Sequence, residues 1–183
     1  MHGPTRLEQD PAPVDQHNPQ FLEWLRGNDA AFELFFEQDA PQVATLDNPW
    51  TLAGLQVAVS TAREIFPDHR AVIAPGNRPA IDRFGRFVGE VFVRQFEGQW
   101  CNAPDNAPIG VEFWPTVECR DYLACITPHS TLEIAIVEGR TKEVTATENG
   151  TLTGLFENVR QRYLKWVADQ PAAAASTPLE LAS

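Results

Sequence analysis

The chain is poor in positive charge. Its 183 residues include 14 Lys and Arg against 25 Asp and Glu, which gives a formal net charge of −11. No cluster of Lys or Arg is present that could neutralise a row of phosphates, so we expect neither a nucleic acid nor an anionic membrane surface as partner. The acidity is concentrated in residues 1–50, which hold nine acids and two bases. This balance favours solubility and indicates that any partner protein has a basic surface.

Long apolar runs are also missing. Nowhere do 18 uncharged apolar residues follow one another, which predicts that no helix spans a membrane. The first twenty residues lack the apolar core of a secretory signal. Cysteine is scarce as well, and the three thiols of Cys101, Cys119 and Cys125 cannot all pair within one chain. We therefore expect reduced thiols and a cytoplasmic location.

The remaining composition, 43% hydrophobic, suffices for one core, and it predicts a single domain over residues 18–170. Residues 1–17 are polar and interrupted by prolines, which predicts a flexible N-terminal arm. Residues 171–183 are small and of low complexity, which predicts a disordered C-terminal tail.

The hydrophobic period changes along the domain. Three- and four-residue spacings predict helices up to residue 97, strands are predicted for 99–102, 109–114 and 118–127, and a final helix ends near residue 170. Residues 129–138 fit either a strand, because apolar residues alternate, or a short helix, because Pro128 precedes them. The order helices, strands, short helix and C-terminal helix predicts an α+β fold with helices packed on one face of a small antiparallel sheet.

The predicted helix over residues 78–97 contains Gly85 and Gly89, although each glycine costs about 1 kcal/mol in a helix interior. A dinucleotide or Walker loop needs other residues around its glycines, and the charges in this helix argue against a membrane pair. We expect a neighbouring element to pack closely there; the alternative is a groove that contacts a ligand. On the opposite side, a four-residue ladder of alternating charge predicts the solvent face: Asp82, Arg86, Glu90 and Arg94.

Cys119, Cys125 and His129 have the spacing of part of a zinc finger, and they are the candidate metal ligands. The first cysteine of such a finger is not at its expected place, and six residues of extended strand would separate Cys119 from Cys125 by about 20 Å. A thiol enzyme would instead pair Cys125 with His129 and use Asp121 or Glu118 as the third group. Cys125, His129 and Asp121 are the candidate catalytic residues. No family signature surrounds them. We therefore expect buried cysteines, no metal and no cofactor.

Large aromatic side chains are abundant, with 5 Trp and 11 Phe in one modest domain. Most must lie in the core, but alternation along 109–114 places Trp114 and Glu112 on one strand face, and Phe36 belongs to a helix with phenylalanines on several faces. Exposed aromatics beside acids are typical of partner-binding surfaces. Trp114, Phe36 and Glu112 are therefore the predicted interaction residues.

The order of these motifs resembles a bacterial family of domains of unknown function, in which a G-x-x-x-G-E helix is followed by G-x-W, strands and a proline-led short helix that ends in glycine. The matching residues fall between about 50 and 140: Gly85, Gly89, Glu90, Gly98, Trp100, Pro128 and Gly139. The resemblance implies a helix for residues 129–138. It implies no activity and no catalytic residues.

Together these observations predict a non-catalytic protein-interaction module, such as an immunity-like, adaptor or chaperone-like protein. Its surface would be acidic and would carry aromatic residues. The competing hypothesis is a small-molecule-binding or hydrolytic domain with a pocket between the 78–97 helix and the sheet. The sequence does not distinguish oligomeric states.

Overall fold

The structure, a computed structural model, describes residues 15–138 and 151–170. Of the predicted flexible arm, only its last three residues are described, and they form a 3₁₀ turn (Asp15–His17). Gln16 joins this turn to the sheet, since its side chain donates to the Asn102 carbonyl at 2.8 Å and accepts from the Asn102 N–H at 2.9 Å. The turn is therefore part of the fold. The rest of the arm and the predicted tail over 171–183 lie outside the described residues.

Short helices form the first third of the domain, and small polar residues start several of them. They are α1 (Pro19–Arg26), α2 (Asn28–Leu34), α3 (Pro41–Ala44), α4 (Leu52–Ile65) and α5 (His69–Ile73). The side chains of Asn18, Thr51 and Asp68 each accept a backbone N–H bond at the start of α1, α4 and α5. Between α2 and α3 the backbone widens into a π turn, Phe35–Asp39, which buries Phe35 completely.

The long helix α6 (Arg78–Phe96) runs through the centre of the fold. It packs against α2 and α4, and also against the sheet and the helix that follows the sheet. Five of its apolar side chains are fully buried: Phe84, Phe87, Val88, Val91 and Phe92. Because neighbouring elements cover the middle of α6 on several sides, a charged residue there, Arg86, is buried as well.

Three short strands form one antiparallel sheet in the order β1-β2-β3: β1 (Gln99–Asn102), β2 (Pro115–Cys119) and β3 (Ala124–Ile126). Trp100 is opposite Val117 in the register, and Val117 is opposite Ile126. Directly opposed residues lie on the same side of a sheet, so these three share the face that α6 and the next helix, α7 (Pro128–Glu138), cover. The adjacent residues, including Cys101, Thr116 and Glu118, share the other face.

The strand predicted over residues 109–114 is wrong. β1 pairs with Pro115–Glu118 instead, and residues 103–114 form the loop between the two strands, which we call the β1–β2 loop. Gly110 has a φ of +85° there, and a 3₁₀ turn (Pro104–Asn106) opens the loop. The strand predicted over 118–127 is interrupted by a second turn, Arg120–Tyr122. Residues 109–114 and 120–122 were predicted as strand from their alternation, but they have no partner strand among the described residues.

Residues 129–138 belong to helix α7, as the proline and the family resemblance implied. The last helix, α8 (Thr151–Asp169), packs Phe156 onto Phe92 and Phe96 of α6. Helices before and after a small antiparallel sheet make this an α+β fold, and the sequence prediction of the fold class is confirmed.

Candidate functional site

The charge ladder of α6 faces solvent only in part: Arg94 is exposed as predicted, whereas Arg86 is buried. Its two i,i+4 ion pairs do form, Arg86 to Asp82 at 2.6 Å and Arg94 to Glu90 at 2.8 Å. However, Arg86 is only 6% exposed, because α1 and α2 cover it. Its guanidinium lies 3.9 Å from the ring centre of Trp24, and Arg94 lies 4.0 Å from that of Trp50. The ladder residues therefore contact three tryptophans, Trp24, Trp50 and Trp100, which we call the tryptophan layer.

Asp82 is the centre of a cluster of polar side chains from three helices. Its carboxylate accepts hydrogen bonds from Trp24 Nε1 at 2.8 Å, from Arg86 Nε at 2.6 Å and from His129 Nε2 at 3.1 Å. Burial alone would raise the pKa of Asp82. The hydrogen bond and charge of His129, followed by those of Arg86, outweigh burial and lower the pKa to about 2. The carboxylate is therefore ionised and joins α1, α6 and α7.

His129 is held from one side only. Its Nε2 faces Asp82, whereas Nδ1 is buried without a hydrogen-bond partner among the described protein groups. The imidazole lies between two indoles, with ring centres 6.2 Å from Trp24 and 5.9 Å from Trp114. The carboxylate on Nε2 fixes the orientation of the ring.

The glycines of α6 make room for this cluster. A Cβ on Gly85 would lie 2.6 Å from two atoms of the His129 ring, and a Cβ on Gly89 would lie 2.0 Å from Cη2 of Trp100. The predicted close approach at Gly85 and Gly89 is confirmed, and it is made by side chains from β1 and α7. Trp100 is fixed further, because its Nε1 donates to Glu90 at 3.1 Å.

The predicted catalytic set is not assembled as the sequence suggested. The carboxylate that contacts His129 belongs to Asp82, 47 residues away, whereas Asp121 lies in the turn after β2. Cys125 is opposite Glu118 in the sheet. Burial raises the pKa of the Cys125 thiol to about 11, with a further contribution from the charge of Glu118. A thiol with this pKa is protonated at neutral pH and is a poor nucleophile.

The candidate metal ligands are also separated. Cys119 is opposite Ala124 and Cys125 is opposite Glu118, so the two thiols lie on opposite faces of the sheet. The sequence pattern predicts one face for both, because alternation treats 118–127 as a single strand. Within residues 15–138 and 151–170, no group of three or more His, Cys, Asp or Glu side chains is placed to hold a metal ion.

The three predicted interaction residues lie in two places. Trp114 is half-buried beside His129, and Glu112 is exposed in the β1–β2 loop, where it accepts a hydrogen bond from Gln20. Phe36 lies elsewhere and packs edge-on against Trp50 and Phe87. Only Trp114 and Glu112 therefore belong to one surface.

The most exposed apolar residues of that surface were not among the predicted interaction residues. Ile109 is fully exposed at the tip of the β1–β2 loop, and Val111 is 41% exposed beside it. At a second site, Leu123 is 73% exposed in the turn before β3. The sequence does contain a signal for this exposed loop. Ile109 lies between Pro108 and Gly110, and proline and glycine both disfavour a strand.

A cavity of about 180 Å³ lies among α4, α7 and the start of α8. Its wall includes Leu55, Val59 and Arg63. The competing hypothesis placed a pocket between α6 and the sheet. In that position Trp100 packs on Gly89, and a Cβ on Gly98 would lie 2.6 Å from Val117. The interface is thus filled with side chains where the pocket was expected.

No protein-family model, curated protein sequence or solved structure matches the chain. The resemblance to a bacterial family of unknown function stays a prediction. None of the helices in the described ranges combines the length and the apolar character needed to cross a bilayer.

Proposed function

We propose that the protein is a non-catalytic interaction module and that it binds a partner protein through its β1–β2 loop. The observation that carries the proposal is the full exposure of Ile109 at the loop tip, next to the partly exposed Val111. Single exposed apolar residues are common, but here two lie within three positions of a loop whose neighbours are acidic.

The loop is held in place before any partner arrives. The Ala103 N–H bonds to the Trp114 carbonyl at 2.9 Å, and the Trp114 N–H bonds to the Asn102 side chain at 2.8 Å, which closes the base of the loop. Phe113 packs on Phe21 and Trp24 of α1. A fixed loop loses little conformational entropy on binding, so contacts at its tip contribute more of their energy to affinity.

The charge around the loop defines the chemistry of the partner. The loop, residues 103–114, has two acids and neither Lys nor Arg. Asp105 and Glu112 are exposed within the loop itself. A partner that presents an apolar patch bordered by Lys or Arg would match this surface, because complementary charge raises the rate of encounter and selects against acidic partners.

Photo-crosslinking tests the proposal directly. A photo-reactive amino acid replaces Ile109 in the full chain, and the same residue replaces Ile73, which is 54% exposed at the end of α5, as a matched control. We expect a discrete protein adduct from position 109 and a weaker or diffuse one from position 73. The adduct partner is then purified, and its dissociation constant is measured at two ionic strengths.

We expect the dissociation constant to rise at least tenfold on Ile109→Asp. The dissociation constant of the unchanged chain should also rise with ionic strength, because salt screens the attraction between the acidic loop and a basic partner. The Ile73→Asp variant should bind as the unchanged chain does. Equal crosslinking from both positions, or an affinity unaffected by Ile109→Asp, would contradict the proposal. A hydrolytic or small-molecule function has less support, because the space assigned to its pocket is filled and the cysteine thiols are protonated.

A further inference from the structure

The β1–β2 loop is attached on both of its sides to one short stretch of the chain, residues 15–20. Immediately before the loop, the side chain of Gln16 bonds the Asn102 backbone twice, to the carbonyl at 2.8 Å and to the N–H at 2.9 Å. Near the end of the loop, Gln20 donates a hydrogen bond to the Glu112 carboxylate. We call residues 15–20 the N-terminal strap.

Asn102 connects the N-terminal strap to the base of the loop. This residue is completely buried. Its Nδ2 donates to the Asp15 carbonyl at 2.9 Å, and its Oδ1 accepts from the Trp114 N–H at 2.8 Å. The Trp114 carbonyl accepts in turn from the Ala103 N–H at 2.9 Å. The first and the last residue of the loop are therefore both bonded through Asn102 to the strap, and a shift of Asn102 would move both.

The two bonds between Gln16 and Asn102 imitate the pairing of strands. β1 lies at the edge of the sheet, and Asn102 is its last residue. A side-chain amide offers a donor and an acceptor as a peptide group does, and Gln16 uses both on the same residue of this edge. Because a side chain makes both bonds, a substitution at Gln16 removes them without altering the backbone of the strap.

Turns inside the loop connect its base to its tip. The Asn106 N–H bonds to the Ala103 carbonyl at 2.9 Å, which continues the chain from the base into the first turn. The Val111 N–H bonds to the Pro108 carbonyl at 3.1 Å, and this second turn contains the exposed Ile109. The position of the isoleucine therefore depends on where the strap holds the base of the loop.

We infer that Gln16 is a positioning residue for the β1–β2 loop and that the N-terminal strap thereby sets the affinity of the loop for its partner. This inference rests on the proposed function, because it states how the same loop is kept ready to bind. Gln16 acts through Asn102 rather than by touching the partner. A loop released from the strap would sample more conformations, and binding would then cost more conformational entropy. Displacement of the strap from β1 would therefore weaken binding without any change at the loop tip.

Amide hydrogen exchange of the full chain, measured by NMR, tests the positioning role without any partner. In Gln16→Ala, the amides of Ala103 and Trp114 should exchange about fivefold faster or more than in the unchanged chain, because two hydrogen bonds that hold the base are lost. The amides of α6 should keep their rates. Gln99→Ala is the matched control, since Gln99 is an exposed glutamine of the same strand, and its loop should exchange as in the unchanged chain.

Gln16→Glu separates positioning from a general loss of stability. A protonated carboxyl group has a donor and an acceptor, as the amide has, whereas a carboxylate only accepts and would repel the Asn102 carbonyl. Compared with the unchanged chain at the same pH, the Trp114 amide of this variant should exchange faster at about pH 7. At about pH 3, below the ordinary glutamate pKa of about 4.3, the two rates should be equal. A residue that only adds stability would give no such recovery.

Affinity is then measured with the protein that crosslinks to position 109. Gln16→Ala should raise the dissociation constant about threefold or more, and Gln99→Ala should leave it unchanged. Unchanged exchange of the loop in Gln16→Ala, no recovery of Gln16→Glu at low pH, or an affinity that is unaffected although the loop has loosened would each overturn the inference.

Failure here is distinguishable from failure of the proposed function. If position 109 captures a protein and Gln16→Ala changes neither exchange nor affinity, the inference alone is wrong. If Gln16→Ala loosens the loop but position 109 captures no protein, the positioning role is confirmed, and its effect on affinity is wrong together with the proposed function.

Discussion

Gly89→Ala is the sharpest test of how the tryptophan layer is held on α6. The added Cβ would lie 2.0 Å from Trp100 Cη2 and 2.9 Å from Pro128 Cγ, both far inside van der Waals contact. The indole has little freedom to withdraw. Its Nε1 donates to Glu90, and its ring contacts that of Trp24 edge-on at 5.0 Å between centres.

The expected change in the free energy of unfolding combines one stabilising effect with two destabilising effects. Alanine is favoured over glycine inside a helix by ~1 kcal/mol. Overpacking a filled interior costs about 1–3 kcal/mol. Loss of a hydrogen bond to a charged group, here between Trp100 and Glu90, costs about 1.5–3 kcal/mol. The free energy of unfolding should therefore fall by about 1.5–5 kcal/mol, which lowers Tm by roughly 3–20 °C for a chain of this size.

Thermal and urea unfolding followed by circular dichroism measure this change. Gly76→Ala is the control, because a Cβ at that position meets nothing within 4 Å and the change should stay within about 1 kcal/mol. Adding Trp100→Phe to Gly89→Ala removes the ring atoms that clash, so the double variant should lose less than the two single losses combined. A Gly89→Ala protein as stable as the unchanged chain would refute the close-packing account.

Three further results are expected. The first concerns Asp82, whose pKa is lowered to about 2 in the fold. Its carboxylate stabilises the fold above its unfolded pKa, and this contribution is lost as the pH falls through the folded value. The Asp82→Asn variant should therefore lose less stability than the unchanged chain between about pH 4 and pH 2. The exposed Asp29→Asn is the control, and an unchanged acid limb in Asp82→Asn would contradict the ion cluster. Cys125 should react with iodoacetamide at pH 8 many times more slowly than a free thiol, since its pKa is raised to about 11; equal rates would contradict its burial. Arg86→Ala should cost about 3–5 kcal/mol by leaving Asp82 under-compensated, whereas Arg26→Ala, an exposed pair, should cost under about 1 kcal/mol; equal losses would show that burial of the guanidinium does not matter.

Helix α6 shows what local spacing can and cannot predict. Its apolar arc, its two glycines and its i,i+4 ion pairs all follow from distances of three or four residues, and each is present. The same spacing predicts a solvent face for the ladder, because it holds no information about other elements. Trp24 and Asn28, which bond to Arg86, lie about sixty residues earlier in the chain.

The same limit explains the candidate site. Alternation around Ile109 fits a strand as well as a loop, and only the pairing of β1 with Pro115–Glu118 decides between them. Spacing alone pairs His129 with nearby Cys125, whereas its partner Asp82 comes from another helix. Side-chain clusters that join distant segments leave no short pattern for a single sequence to reveal.

The layer of tryptophans on α6 also determines the smallest part of the chain that can fold alone. A fragment over residues 50–140, the region of the family resemblance, would contain α6 and the whole sheet. It would lack Trp24 and Asn28, which bond to Arg86, and Phe156, which covers Phe92. Arg86 would lose its packing on Trp24 and its acceptors on α1 and α2, and Phe92 would be exposed to water. We therefore expect the autonomous unit to extend from α1 to α8 and shorter fragments to be insoluble or only partly folded.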